Sequence, residues 1–348
     1  MIIGASANMN LFTTAVQTGY SLAYTTTPTW HSKIARVVPI TNESVVNGWI
    51  GMLPRAREWT GPRQVHTPAP YTYLVTPKPF ELTWGLDRFR LDDDRLNFGL
   101  YTDAARQHGE QDAKVPDYEL RDLLFNLGSS WTGDAQKGAQ GNMTGLNHWS
   151  TVHPVDPFDS SKGTRCNDYR GGVSVDGVTV GGAFSANAFN TVYSDASVRP
   201  MESGEAGATT PDLLVASTHL RGPVEMVLKN TMLALSNFAG MGTGPVGSSN
   251  APFVGVADNP QKGWVDYELI EDFGVNASTR LQWMLLRSKG VVKPFSIFLR
   301  QGSVMAARVA ETDPLVFEQH LYAFGSYQRL APAWGLWFLS SISGPTAA

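Results

Sequence analysis

Two alternating β segments between residues 44 and 86 place the strongest constraint on this chain. Val45, Val46, Trp49 and Ile50 make a short strand; Tyr71, Tyr73 and Val75, then Phe80, Leu82 and Trp84, make a longer alternating one. Between them stands Pro54-Arg-Ala-Arg-Glu-Trp-Thr-Gly-Pro-Arg63, a tip rich in Arg and Pro that carries Trp59. A hairpin of about 40 residues does not bury its own two faces. It needs a body to lie on, and its unpaired edge invites another chain.

The start of the chain is as unusual. Residues 1–32 contain no Lys, Arg, Asp or Glu, and the first charge is Lys33. Leu11, Phe12, Ala15, Val16, Tyr20, Leu22 and Ala23 recur at helical spacing. They predict a helix over 8–23 with an apolar stripe and a Thr/Gln/Asn face, docked on its own core or on a neighbour. Asp92-Asp-Asp94 reads as the start of a second helical stretch, because carboxylates cap free N–H groups and complement the dipole there. Leu96, Leu100, Ala104 and Ala105 carry it to about 114; Pro116 then opens another helix that ends at Leu127 before Gly128.

Residues 128–210 are dense in Gly, Ser, Asn, Thr and Asp and predict a loop-rich insertion with hairpins around 172–180. Such composition predicts exposed loops within 160–208, the first place a protease would nick. Leu213-Leu-Val-Ala-Ser217 reads as a buried strand, followed by a helix over 219–229 capped by Thr218 and a Gly/Ser loop over 240–249. Strands are expected at 264–270, 281–286, 295–299, 317–324 and 334–340.

Composition narrows the function classes. Charged residues are 17% of 348 and the net charge is −4, so no basic field waits for nucleic acid. Gly 34, Pro 21 and Trp 10 fit a β-rich, loop-rich chain with much aromatic surface to bury. The one cysteine, Cys166, excludes an internal disulfide framework. No run approaches the roughly 20 apolar residues of a membrane span, and no basic region precedes an apolar run as a secretion signal requires. The expected setting is a cytoplasm.

Chemistry is sparse. Gly242-Thr-Gly-Pro-Val-Gly247 has the letters of a dinucleotide fingerprint, but a helix precedes it and Ser-Ser-Asn-Ala-Pro follows, the reverse of what phosphate binding needs. His153, Asp156 and Asp159 sit in a stiff turn with two prolines and read as turn residues rather than metal ligands. Asp92, Asp93 and Asp94 read as a helix start, not an acid/base cluster. No catalytic residue, metal or cofactor is assigned. A catalytic pair assembled only in three dimensions stays open, since triads are recognised by geometry.

The hairpin and helix segment carries a resemblance. Trp49-Ile-Gly-Met-Leu-Pro-Arg-Ala-Arg-Glu-Trp59, Gly61-Pro-Arg63, Phe80-Glu-Leu-Thr-Trp-Gly-Leu-Asp-Arg88 and Leu91-Asp-Asp-Asp94 look like the major head subunit family of Mu-type phages. Leu11-Phe12, Trp30, Ile34-Ala35, Val38-Pro39, Pro116-Asp117 and His153-Pro154 are similar too, as are Asp212-Leu-Leu-Val, Tyr322…Arg329 and Trp334-Gly-Leu-Trp337. One departure is Asn47-Gly48, where the family tends to carry a Tyr before the first hairpin Trp.

The resemblance implies an α+β chain with the tailed-phage major capsid protein fold. Its parts would be an N-terminal arm (1–43), an extended loop (44–86), a peripheral domain with a long spine helix (87–210), an axial domain (211–315) and a return to the peripheral domain (316–348). The implied function is a major capsid protein that self-assembles through hexamers and pentamers into an icosahedral shell. The shell would enclose double-stranded DNA without sequence-specific binding and would be built in the host bacterial cytoplasm. Scaffolding, portal and decoration proteins are the implied partners. Arg55, Arg57, Glu58, Trp59 and Arg63 at the loop tip, and Leu11, Phe12, Val16, Tyr20 and Trp30 in the arm, are the expected inter-subunit contacts, with residues 1–30 held by neighbours rather than by their own domain. Two other readings are another β-rich virion component, which would not need the spine helix, and a bacterial enzyme, which would need a buried cluster of titratable groups with perturbed pKa values.

Overall fold

The computed structural model describes residues 5–50, 58, 70–93, 98–125, 148–155, 160–200, 207, 209–234, 256–271, 273–274, 276–290 and 292–346. In chain order these form α1 (Ala5–Thr26), α2 (His31–Ile34), β1 (Ala35–Pro39), β2 (Val45–Ile50), β3 (Pro70–Val75), β4 (Lys78–Asp87), α3 (Arg88–Asp93) and α4 (Phe98–Phe125). After them come β5 (His153–Pro154), β6 (Thr164–Arg165), β7 (Asp168–Arg170), β8 (Val173–Val175), β9 (Val178–Val180), α5 (Ala186–Ser197), β10 (Leu213–Ser217) and α6 (Arg221–Leu228). The rest are β11 (Met232–Ala234), β12 (Val256–Asp258), β13 (Asp266–Ile270), β14 (Trp283–Leu286), β15 (Phe295–Arg308), α7 (Pro314–Gln319), β16 (Leu321–Trp334) and β17 (Ser340–Gly344).

A four-stranded sheet in the order β1-β15-β16-β4 supports the two long helices. Phe12, Val16 and Tyr20 of α1, Tyr101 and Ala105 of α4 and Phe324 of β16 share one buried cluster. The two helices touch backbone to backbone at Gly109, where a Cβ would lie 2.4 Å from the Tyr20 carbonyl oxygen; only glycine permits that approach.

Helix α4 runs unbroken through Pro116, so the expected two helices are one. Proline has no N–H to give the carbonyl four residues back. That carbonyl belongs to Asp112, and the buried Gln328 side chain donates its Nε2 to it at 3.0 Å. Position 328 thus replaces the missing main-chain donor from a neighbouring strand.

Two further expectations are corrected nearby. The hairpin is β2–β3, paired from Val45↔Val75 to Ile50↔Pro70. The strand that continues it, β4, pairs instead with β16 along Lys78–Asp87 and belongs to the four-stranded sheet. The chain turns between them at Thr76-Pro77. Asp92 and Asp93 close the short helix α3 rather than open a long one; Asp94 lies outside the described residues. Asn47, at the position where the resemblance departs, donates to the Trp334 carbonyl and ties the hairpin base to the end of β16.

A second sheet has five strands in the order β13-β10-β14-β17-β7, and its central strands β10, β14 and β17 are buried on both faces. Leu213, Val215, Met284, Leu286 and Ile342 face a core shared with α2, α4 and the four-stranded sheet. Leu214, Ala216, Trp283 and Leu285 face a second core that takes in α5 and α6. Two-sided burial is why β10 and β14 are continuous apolar runs rather than alternating ones.

Residues 160–200 are more ordered than their composition suggests. The β8–β9 hairpin turns on Asp176 and Gly177, both at positive φ (50° and 84°), the two-residue turn that suits the strand twist. Helix α5, unforeseen in the sequence, is capped by Ser185 and buries Phe189 and Val192. The C-terminal strand β17 sits between β14 and β7, in the same sheet as residues 213–217. Sheet membership therefore interleaves the segments 87–210, 211–315 and 316–348.

Candidate functional site

Spatially assembled chemistry is present in the core. Ser326, His108 and Asp112 lie together: His108 Nε2 is 2.6 Å from Ser326 Oγ and 3.6 Å from Asp112 Oδ2. The wiring is wrong for nucleophile activation. The Trp84 indole N–H can only donate, and it meets His108 Nδ1 at 3.1 Å. Nδ1 is therefore the acceptor, and Nε2 carries the hydrogen and donates to the serine. A general base has to accept that hydroxyl proton. Burial, opposed by Asp112, lowers the His108 pKa and keeps the ring neutral. Ser326 is 4% exposed, so no substrate reaches it.

Asp112 has its own task. Tyr20 and Ser303 both donate hydroxyl hydrogens to its Oδ2, at 2.6 and 2.7 Å, which joins α1, α4 and β15. Burial and then the Asp112 hydrogen bond raise the Tyr20 phenol pKa, so it stays a donor.

The remaining candidates are also core groups. His153 is fully buried, stacks on Trp337 at 4.2 Å and bonds through Nε2 to the His148 carbonyl. Burial pushes its pKa down to about 4, assisted by Arg199. His148 stacks on Trp334 at 4.3 Å. Cys166 is buried, and burial raises its thiol to about 12. Among the described residues no three His, Cys, Asp or Glu side chains come together as a metal site. Asp156, Asp159 and the 242–247 glycine motif lie outside the described residues.

One buried cluster gave no sequence signal. Arg199, 1% exposed, donates to the Phe338 and Ser340 carbonyls, Ser341 Oγ and the Tyr169 hydroxyl. Tyr169 in turn donates to Asp195. These bonds clamp the C-terminal strand to α5. An arginine next to a proline in a Gly/Ser-rich stretch looks like any surface residue, and only three-dimensional packing marks it.

The surfaces expected to meet other subunits divide unevenly. Phe12, Val16 and Tyr20 are buried against α4 and the sheet of their own chain, and Trp30 packs on Phe273. The apolar stripe of α1 is thus satisfied within the subunit. This corrects the expectation that these four residues face a neighbour. Leu11 alone points outward, at 74% exposure. At the hairpin tip Glu58 is exposed, while Arg55, Arg57, Trp59 and Arg63 lie outside the described residues. The base of the hairpin exposes the cross-strand pair Val46 and Leu74 (61% and 56%), an apolar patch on a two-stranded ribbon.

Comparison with known proteins agrees with this architecture. Residues 9–174 match the family profile described as the Mu-like prophage major head subunit gpT. The chain is 31% identical over 141 residues to the major capsid protein of Escherichia phage Mu, which is 40% of this chain and 42% of that protein. It therefore spans less than half the length of that curated relative. The likenesses read at Asp212 and beyond fall outside the profile match. The fold is similar to a chain in the procapsid of bacteriophage JBD30, at 21% identity and TM-score 0.51, over 99% of this chain and 77% of that one. It is also similar to a chain in the asymmetric unit of the bacteriophage PhiM1 mature capsid, at 12% identity and TM-score 0.51, over 92% and 88%. The resemblance read from the hairpin and helix segment is the one the match returns, and the chain has the α+β capsid fold.

Proposed function

We propose that this chain, whose residues 9–174 match the Mu-like major head subunit family, is the major capsid protein of a tailed double-stranded DNA phage or prophage. Copies assemble through hexamers and pentamers into an icosahedral shell, in the host cytoplasm, and the shell becomes part of the virion. The observation that carries the reading is the capsid fold across 99% of the chain combined with that match. The buried titratable groups support a structural role, since each is neutralised or tied to the core.

Within this reading residues 1–43 are the arm, 45–75 the extended loop, α4 the spine helix, and the five-stranded sheet the centre of the axial domain. Arg55, Arg57, Glu58, Trp59 and Arg63 at the loop tip meet an adjacent subunit, with Trp59 as the anchor; Trp and Arg are the usual interface hot spots. A net charge of −4 suits a container that encloses DNA without binding its sequence. A scaffolding protein, a portal and decoration proteins complete the set of partners. Sedimentation tests it. The intact chain is expected to yield shell-sized particles. Trp59→Ala is expected to lower particle yield while the unassembled subunit melts nearly unchanged. A chain that sediments only as a small species would remove the proposal.

A further inference from the structure

The outward face of α1 is exposed yet has no charge. In a chain that is 17% charged, about five charged residues would be expected among its first 32, and there are none. Leu11, Thr14, Ala15, Thr18, Leu22 and Thr25 all lie on the exposed side of the helix. The partner helix α4 behaves normally, with Asp103, Arg106 and Glu110 on its exposed side. Interface centres are depleted of charge in this way, and free protein surfaces are not.

The spacing is that of a helix-packing seam. Leu11, Ala15, Thr18, Leu22 and Thr25 follow intervals of four and three, the ridge that a second helix meets. Small residues between the two leucines let another backbone approach closely. Two hydroxyls of this face, Thr14 and Thr25, and that of Thr26 beside it are already bonded within the helix. Thr14, Thr25 and Thr26 donate to the carbonyls of Asn10, Ser21 and Leu22 at 2.8–2.9 Å. Covering them strands no donor.

We propose that this face packs against the same face of α1 from a second copy of the chain, antiparallel about a two-fold axis near Ala15 and Thr18. A self-complementary pairing sets Leu11 against Leu22 of the other copy and the reverse. An uncharged seam suits an uncharged occupant, and its own copy supplies one without desolvating an unpaired charge. A nucleic acid or a charged scaffold would find no counter-charge here. The inference rests on the capsid reading and names one contact within it.

Cysteine cross-linking tests the pairing directly, because the native Cys166 is buried and its thiol pKa is high. The double variant Leu11→Cys with Leu22→Cys is oxidised in whatever assembly the full-length chain forms. Within one helix these positions are about 16 Å apart along the axis, too far for an internal disulfide. The expected result is a disulfide-linked dimer as the main product, absent from either single variant. Thr18→Arg, on the outward side and remote from the core, is expected to leave subunit melting unchanged and to lower assembly about tenfold or more. Particles that form normally without the 11–22 cross-link overturn the pairing and leave the capsid reading standing, as does a cross-link only to a different protein. A chain that never leaves the monomer overturns both.

Discussion

Replacing Gln328 with Met should destabilise the subunit, and replacing Pro116 with Ala in the same chain should reduce that loss. Gln328 is 2% exposed and its Nε2 donates to the Asp112 carbonyl, the group that Pro116 leaves without a helical partner. Met keeps the volume and removes the donor. Leaving a buried carbonyl unpartnered costs about 1–3 kcal/mol. The same substitution removes Gln328 Oε1, a buried oxygen with no partner of its own, so the lower end, about 1 kcal/mol, is expected. Pro116→Ala restores an N–H four residues along and gives the carbonyl its normal bond. Urea unfolding of the unassembled subunit, followed by fluorescence and circular dichroism together, gives the four corners of the cycle. A coupling near 1 kcal/mol is expected. Additivity within about 0.5 kcal/mol would refute the substitution of one donor for the other.

The His153 pKa, about 4 in the folded protein against an ordinary 6.5, makes stability depend on acid. The neutral ring is favoured by folding, so its contribution is complete above pH 6.5 and is lost as pH falls from 6.5 towards 4, by about 3 kcal/mol in all. His153→Phe should flatten the unfolding midpoint over that window, and an unchanged slope would assign the acid response elsewhere. Arg199→Met should cost about 3–5 kcal/mol, since it leaves the buried Phe338 and Ser340 carbonyls and Ser341 Oγ without their donor and removes the cation 3.9 Å from Asp195. Arg199→Lys should recover little of it, because one ammonium does not span the partners of the guanidinium fork; full recovery of the melting temperature would contradict the clamp.

Elements whose pattern is set locally were legible in the sequence. The stripe Phe12, Val16, Tyr20 predicted α1, and the run at 213–217 predicted a buried strand. Residues whose partners are distant were not. Alternation at Phe80, Leu82 and Trp84 announces a strand without saying that its neighbour is β16 rather than β2. Pro116 normally ends a helix, and only Gln328, more than two hundred residues away, lets this one continue. Helix α5 was hidden by the Gly/Ser-rich sequence around it. Ser185 followed by Ala188, Phe189 and Val192 was the signal that could have found it. The stripe on α1 is legible as apolar but leaves its own core and a neighbour both open as partners, because periodicity reports that a face is buried and not by whom; the neighbour came from the resemblance. Its uncharged outer face was visible from residue 1 to 32, yet only the docked helix shows which of those residues remain uncovered.

Electron microscopy of the purified, full-length chain tests the central claim most directly. The account predicts closed shells whose surface resolves into hexamers and pentamers, with one copy of this fold at every position. Discrete monomers, or tubes that never close in the presence of a scaffolding protein, would contradict it.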